Sequence, residues 1–515
     1  MPDEKDAARA GVGSEEIALC LSGGGYRAAA FHLGALDVFE RLGLLGKVRV
    51  LATISGGTLL GVLWTLARAR GRDFGDFFRG IYRRLLEVNV VREAFARLDA
   101  TGDAERPPSL ARAAAEIYGG PEFAGTARLG ELMDSEAVPD DVLFCSTEMR
   151  TGLAFRFQTS RRSQIVVGSR DVLRIPPELA RELRLADVMA ASACFPGAFE
   201  PLLFPQDFDL GTPPPPSLAS LPAEKLPLPI VDGGVFDNHG IDAARRVYDR
   251  RGASPGLIFV SDSSPRETSI YGERPPRPGA GWSLGFLLSL GRFLSWLAAL
   301  LAVLIVASAS WSGWRLTDGI ALLALVAMAG GLWLAHRRLG DELAKVKEMT
   351  GVAVWDGLEK VSLGELLELI DRRARTLIAI TSTIFLKRIR GLQQEICFVD
   401  GKLRDRVVFS LIYTLLEPSK ALEKKFAWLL PGRQLAAYAE AAEKVGTKLW
   451  FDHENELRAA LVAGQATTLH KLLELHCSGR LPAVQAILGP DFESRARALW
   501  EKLQENPEAL LDRAG

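Results

Sequence analysis

Val48-Arg49-Val50-Leu51-Ala52-Thr53-Ile54-Ser55-Gly56-Gly57-Thr58 decides how this chain folds. A β-branched, apolar run leads straight into a small serine followed by two glycines. Such a run predicts a strand that turns sharply into a helix over Thr58 to Ala69, and the turn pushes a hydroxyl out where it can act as a nucleophile. Working outward, Ile17 to Leu21 reads as a buried strand entering Gly23-Gly24-Gly25-Tyr26-Arg27. Apolar residues then recur at helical spacing up to Leu42 (Phe31, Leu33, Ala35, Leu36, Val38, Phe39). Strand, loop and helix thus occur twice in succession, which argues for an α/β domain with a parallel sheet. Functional loops of such sheets gather beyond the carboxyl ends of the strands, where both the glycine loop and Ser55 fall.

Bulk properties narrow the function classes. At 515 residues the chain is too long for one ordinary domain, and 48% hydrophobic residues supply a substantial core. A net charge of −1 gives no case for nucleic-acid binding. The five cysteines (Cys20, Cys145, Cys194, Cys397, Cys477) are scattered, odd in number and without a CxxC pair, so neither a disulfide framework nor a zinc site is expected. That usage suits a reducing cytosol. The charged opening stretch, with Asp3, Glu4, Lys5 and Asp6, does not read as a signal peptide.

Further strands are expected at Val142 to Thr147, Phe155 to Thr159, Pro229 to Val231 and Gly256 to Val260. Leu183 to Ala193 reads as a helix. Residues 70–130 read as a mostly helical cover or insertion, and the proline-rich stretch 205–230 as an extended loop. Phe293 to Trp311 then runs 19 residues without a charge, and Ile320 to Ala335 a further 16. A bilayer core needs roughly 20 apolar residues per helix. Trp296, Trp311, Trp314 and Trp333 stand near the ends of these runs, as interface anchors do. The reading is a membrane hairpin, spanning or re-entrant, over 281–336; a buried hairpin of a soluble domain is the alternative. Arg274, Arg277 and Arg292 precede it, and Arg337, Arg338, Lys345 and Lys347 follow it, which puts both flanks on the cytoplasmic side. Residues 337–515 form a helical C-terminal region with amphipathic runs at 357–390 and 433–506, its first part a candidate to complete the catalytic domain. Lys387, Arg388 and Arg390 fit either lipid headgroups or a solvated helix face. Residues 1–14 read as a flexible N-terminus ahead of a catalytic domain at 15–265.

The glycine loop has three readings. It fits G-x-G-x-x-A, but a dinucleotide site expects an acid at the tip of the second strand, and that strand ends in Ser55. A purely structural turn is the second. The third is an oxyanion hole, in which backbone N–H groups of Gly23, Gly24 and Gly25 point at a developing negative oxygen with a helix N-terminus behind them. Gly56, directly after the serine, and Arg27 are further candidate oxyanion groups, Arg27 either adding positive charge nearby or bracing the loop. Against the G-x-S-x-G pattern, Thr53 stands where the first glycine is expected. Only His32 and His239 of the six histidines lie near a motif, and each fits a packing or polar contact better than a base. Asp232, ending a strand and followed by Gly233 and Gly234, is the better candidate base. Burial beside a neutral serine would raise its pKa toward the working range. Asp237 is the runner-up, with a turn or helix cap as its plain alternative.

Gly23-Gly24-Gly25-Tyr26-Arg27, Ile54-Ser55-Gly56-Gly57, Ala191-Ser192-Ala193-Cys194-Phe195-Pro196-Gly197 and Asp232-Gly233-Gly234 together resemble the patatin-like phospholipases over roughly residues 15–265. The resemblance implies a three-layer α/β/α fold with a mainly parallel central sheet, to which the transmembrane hairpin and the helical C-terminal region are added. It also implies a serine–aspartate dyad acyl hydrolase acting on lipid or phospholipid esters, with no metal and no cofactor. Ser55 would attack the ester, Asp232 would take its proton, and the glycine loop would hold the oxyanion. The expected setting is a bacterial inner membrane, with the catalytic part in the cytoplasm. Thr53, the loop 205–230 and the hairpin depart from the family pattern. Two rivals stand beside this reading: a catalytically idle membrane scaffold that keeps the fold, and a lipid acyltransferase in which an alcohol replaces water.

Overall fold

The computed structural model describes residues 15–101, 107–162, 167–266, 282–350, 362–380, 384–400, 403–404, 406–418, 424–479 and 482–514. The N-terminal stretch 1–14, Arg274 and Arg277 lie outside the described residues. Contacts divide the chain into two compact units, Met1–Ile270 with Thr381–Gly515, and Tyr271–Ile380.

The first unit is built on one sheet. Strands β1 (Ile17–Leu21), β2 (Val48–Ile54), β3 (Asp141–Glu148), β4 (Leu153–Ser160), β5 (Val167–Gly168), β6 (Arg174–Ile175), β7 (Leu202–Phe204), β8 (Leu228–Asp232), β9 (Leu257–Asp262) and β10 (Val407–Leu411) all belong to it. Its main path runs β10-β9-β1-β2-β3-β4-β5-β6, while β8 pairs with β3 and β7. The pairings β10–β9, β9–β1, β1–β2 and β2–β3 are parallel, and those of β4 to β8 antiparallel. All five residues of β1 and all six of β9 are buried, as expected for parallel strands covered on both faces.

Helices α1 (Gly25–Arg41) and α2 (Gly56–Ala69) each begin two residues earlier than the sequence suggested, Arg27 and Thr58 being the expected starts, directly at the glycines. Both loops are therefore helix N-termini. The cover consists of α3 (Phe74–Glu87), α4 (Val90–Ala96), α5 (Leu110–Tyr118) and α6 (Leu129–Met133). After it come α7 (Pro177–Arg181), α8 (Leu185–Ala193) and α9 (Ile241–Arg251). The proline-rich stretch holds two short 3-10 turns, Pro216–Ser220 and Ala223–Lys225, before β8 begins at Leu228.

The second unit is described by itself. Its helices are α10 (Leu284–Ser312), α11 (Leu316–Thr350) and α12 (Leu363–Ala379). Gly285–Ser312 and Leu316–Arg338, with mean hydropathies of 2.2 and 1.8, are long and apolar enough to cross a membrane. They pack on each other, with the Ser295 hydroxyl donating to the Ala329 carbonyl at 3.2 Å, yet leave large side chains such as Trp311, Leu316 and Leu323 exposed. Both helices outrun the charge-free stretches, because the hydrogen-bonded ladder continues through polar residues once it has started.

The C-terminal region is helical, with α13 (Phe385–Val399), α14 (Arg433–Lys444), α15 (Glu454–Ser478), α16 (Pro482–Leu488) and α17 (Phe492–Glu505), except at β10. That strand adds an edge to the catalytic sheet beside β9, in register from Ile258 with Val407 to Asp262 with Leu411. The amphipathic pattern expected over 433–506 does not describe α15, which is buried on nearly every side between its neighbours. It crosses α1 closely enough that a Cβ on Gly34 would overlap the Leu461 carbonyl, and one on Gly464 the Phe31 carbonyl.

Candidate active site

Strand pairing brings Ser55 and Asp232 together. Along β3, Cys145 pairs with Ile54, the last residue of β2, and the next residue, Ser146, pairs with Asp232, the last of β8. Strand β8 thus takes up the side of β3 that β2 leaves, and both chains end at the same step. Ser55 sits at the turn with φ 50 and ψ −117, the one non-glycine residue with positive φ among the described residues. Such a backbone is strained and persists only where its surroundings hold it. Here the Ser55 N–H donates to the Ser192 hydroxyl at 3.0 Å, and that hydroxyl donates to the Cys145 carbonyl at 2.6 Å. A Cβ on Gly56 would overlap the Gly25 carbonyl, so the two glycine turns pack backbone to backbone.

Thr53 is accommodated by a glycine elsewhere. A Cβ on Gly61, in the second turn of α2, would lie 2.7 Å from the Thr53 Cγ2, so the space that the elbow pattern places on the strand is found on the helix. The Thr53 hydroxyl meets the Thr58 hydroxyl at 3.0 Å, which ties strand to helix across the turn.

Asp232 is buried, and its carboxylate accepts from the Gly234 N–H at 2.7 Å. Burial pushes its pKa up to about 6, and the Gly234 N–H and the Ser55 hydroxyl pull it part of the way back. A carboxylate at about 6 is a far better base than one at its usual 3.8.

The glycine loop has Gly24 at φ 144 and Gly25 at φ 61, backbone shapes that side chains rarely adopt. Among the described residues, the N–H groups of Gly24, Gly25 and Gly56 have no hydrogen-bond acceptor. Gly23 and Arg27, both expected among the oxyanion groups, are engaged elsewhere. The Gly23 N–H goes to the Asn238 carbonyl at 3.3 Å. Arg27 is buried and donates to the Val445 carbonyl at 2.6 Å and the Thr447 hydroxyl at 3.3 Å. Burial draws its pKa down to about 10.

Neither nearby histidine faces the serine as a base. His32 lies between the Ser261 hydroxyl (2.8 Å) and the Ser22 carbonyl (2.9 Å), and burial draws its pKa down to about 4. His239 contacts Asp262 at 3.0 Å. The alternative base Asp237 caps α9 instead, accepting from the N–H groups of His239, Gly240 and Asp242. Among the described residues no three His, Cys, Asp or Glu side chains are grouped to hold a metal.

Ser55, Asp232, Gly23, Gly24 and Gly25 line a cavity of about 600 Å³. Phe95 and Leu110 from the cover and Phe195 and Phe199 after α8 supply apolar wall, and Arg390 and Lys448 supply charge. Arg390 donates to the Ser264 hydroxyl, so it is neither the free headgroup contact nor the solvated side chain that its neighbours Lys387 and Arg388 suggested. Ser192, Asn238 and residues 445–450 carry no role in the sequence reading. Only Ser192 had a local signal, its place in the helix that ends at Phe195-Pro196-Gly197.

A glycine loop, a strained serine and a strand-ending aspartate on a mainly parallel sheet define an α/β protein of the nucleophile-elbow type. Residues 19–245 match the family model of patatin-like phospholipases, and this part of the chain is a patatin-like phospholipase domain. No curated protein matches the chain.

Proposed function

We propose that the chain is a membrane-associated serine acyl hydrolase that cleaves acyl esters of phospholipids or related lipids through Ser55 and Asp232. The meeting of β2 and β8 at Cys145 and Ser146 carries this reading. In the reaction, Asp232 takes the Ser55 proton as the hydroxyl oxygen attacks the ester carbonyl. The N–H groups of Gly24, Gly25 and Gly56 receive the oxyanion, with the positive ends of α1 and α2 behind them. As the intermediate collapses, Asp232 returns the proton to the leaving alcohol, and the acyl group stays on Ser55. Asp232 then takes a proton from water as its oxygen attacks the acyl-enzyme, and it gives that proton to the Ser55 oxygen as the acid leaves, which restores both groups.

The apolar wall supports a lipid acyl chain as the bound group, and about 600 Å³ is ordinary for a cavity that holds one small ligand. The exposed apolar faces of α10 and α11 support residence in a bilayer, with the catalytic domain in the cytoplasm of a bacterial inner membrane. The test uses full-length protein with a short-chain acyl ester. Ser55→Ala and Asp232→Asn should each lower kcat at least ~10³-fold with folding intact. Equal product from wild type and Ser55→Ala would return the chain to an idle scaffold.

A further inference from the structure

Residues 445–451 run from α14 toward α15, about 200 positions beyond the family match, and lie against the glycine loop. Four contacts tie them to it. The Tyr26 N–H donates to the Lys448 carbonyl at 2.8 Å. Arg27 grips the Val445 carbonyl and the Thr447 hydroxyl. The rings of Tyr26 and Phe451 meet at 6.0 Å between centroids. Gly25 passes so close to the segment that a Cβ there would overlap the Lys448 carbonyl. On its other side the Leu449 carbonyl accepts from the Val90 N–H at 3.2 Å, which anchors the segment to the cover helix α4. Thr447, Lys448, Leu449 and Trp450 also line the cavity.

The consequence for the glycine loop is geometric. Oxyanion donors work only if they are held in place before the charge develops. On the side facing the cavity the Gly24 and Gly25 N–H groups have no protein partner among the described residues, and two glycines with positive φ give the loop little stiffness of its own. A guanidinium is costly to bury, and the hydrogen bonds of Arg27, from Nη1 and Nη2, both go to this segment.

We infer that residues 445–451 act as a strap that fixes the oxyanion loop, with Arg27 and Phe451 as positioning residues, so that the C-terminal region completes the catalytic site of the patatin-like domain. This rests on the hydrolase reading for its catalytic consequence, while the clamping itself does not. The test measures two things on full-length protein: turnover of a neutral short-chain ester, and hydrogen–deuterium exchange over residues 22–28. Arg27→Gln and Phe451→Ala should each lower kcat ~10–100-fold with KM within about twofold, less than or equal to the loss of one oxyanion donor. Exchange at Tyr26 should rise, while β1 keeps its protection. Arg27→Lys should recover part of kcat, because one ammonium donor can still reach the Val445 carbonyl.

Should Arg27→Gln fail to fold, Thr447→Val removes a single hydroxyl and must show the same pairing of faster exchange with lower kcat. Unchanged exchange across 22–28 in the folded variants would overturn the strap. So would a rise in exchange with kcat unaltered. A wild-type protein that cleaves no ester would overturn the hydrolase reading alone, and the exchange comparison would still decide the clamping.

Discussion

Replacing Asp232 with asparagine should stabilise the protein while abolishing turnover, and the gain should depend on pH. The carboxyl has a pKa near 6 in the folded protein against 3.8 for the free group, with burial the main cause. Because the folded value is the higher one, the folded protein binds this proton more tightly than the unfolded chain does. That stabilising contribution is complete below about pH 3.8 and lost as the pH climbs through about 6. At 1.36 kcal/mol per unit, the buried charge lowers stability at pH 7.5 by about 3 kcal/mol, and at pH 5 by about half of that. Asparagine cannot ionise, and its side-chain oxygen can still accept from the Gly234 N–H, so Asp232→Asn removes the charge and little else. For a compact unit of roughly 400 residues, 3 kcal/mol corresponds to about 3–4 °C in melting midpoint. Urea titrations and thermal melts in detergent at both pH values measure the difference. A variant no more stable than wild type at pH 7.5, or equally stabilised at both pH values, would refute the raised pKa and with it the case for Asp232 as a base.

Other predictions follow from the same contacts. The profile of kcat/KM against pH should fall about tenfold per unit below pH ~6, since Asp232 must be unprotonated to accept the serine proton; a flat profile down to pH ~5 counts against it. His32→Ala should reduce stability by about 1–3 kcal/mol through the unpaired Ser261 and Ser22 groups, with kcat held within severalfold. A loss of kcat beyond ~10³-fold in a folded variant would make His32 catalytic after all. Gly61→Ala should destabilise by roughly 1–3 kcal/mol against Thr53, and Thr53→Gly should recover most of it in the double variant. Simple additivity would show that the two residues do not share the space.

Most of the site was legible because its signals are local. Val48 to Ile54 followed by Ser55-Gly56-Gly57 gives a strand, a turn and a helix within a dozen residues, and the structure keeps those strand limits. Asp232 stood out because it ends an apolar run ahead of two glycines. The pairing that joins it to Ser55 was hidden, since it depends on which side of β3 is free beyond Ile54. Strand β10 was equally hidden. Val407 to Leu411 is only five residues long in a helical region, and its extended form is held by β9. The segment 445–451 left no trace because its main contacts are backbone carbonyls, which every residue has. Helix α15 misled for the opposite reason: its many Ala and Thr residues look like a surface face, yet they suit close packing on all sides.

The connection from β9 to β10 has a consequence for the time course of synthesis. The two strands lie side by side, yet the chain between Asp262 and Val407 contains the whole apolar hairpin. Translation at about 5–20 residues per second therefore puts on the order of ten seconds between them. Until the later residues are made, β9 lacks its β10 neighbour and the glycine loop lacks the contacts that residues 445–451 supply. Only after both apolar helices have left the ribosome can β10 and the segment at 445–451 arrive. On the hydrolase reading, the strap on the oxyanion loop is therefore completed only after both apolar helices have been made.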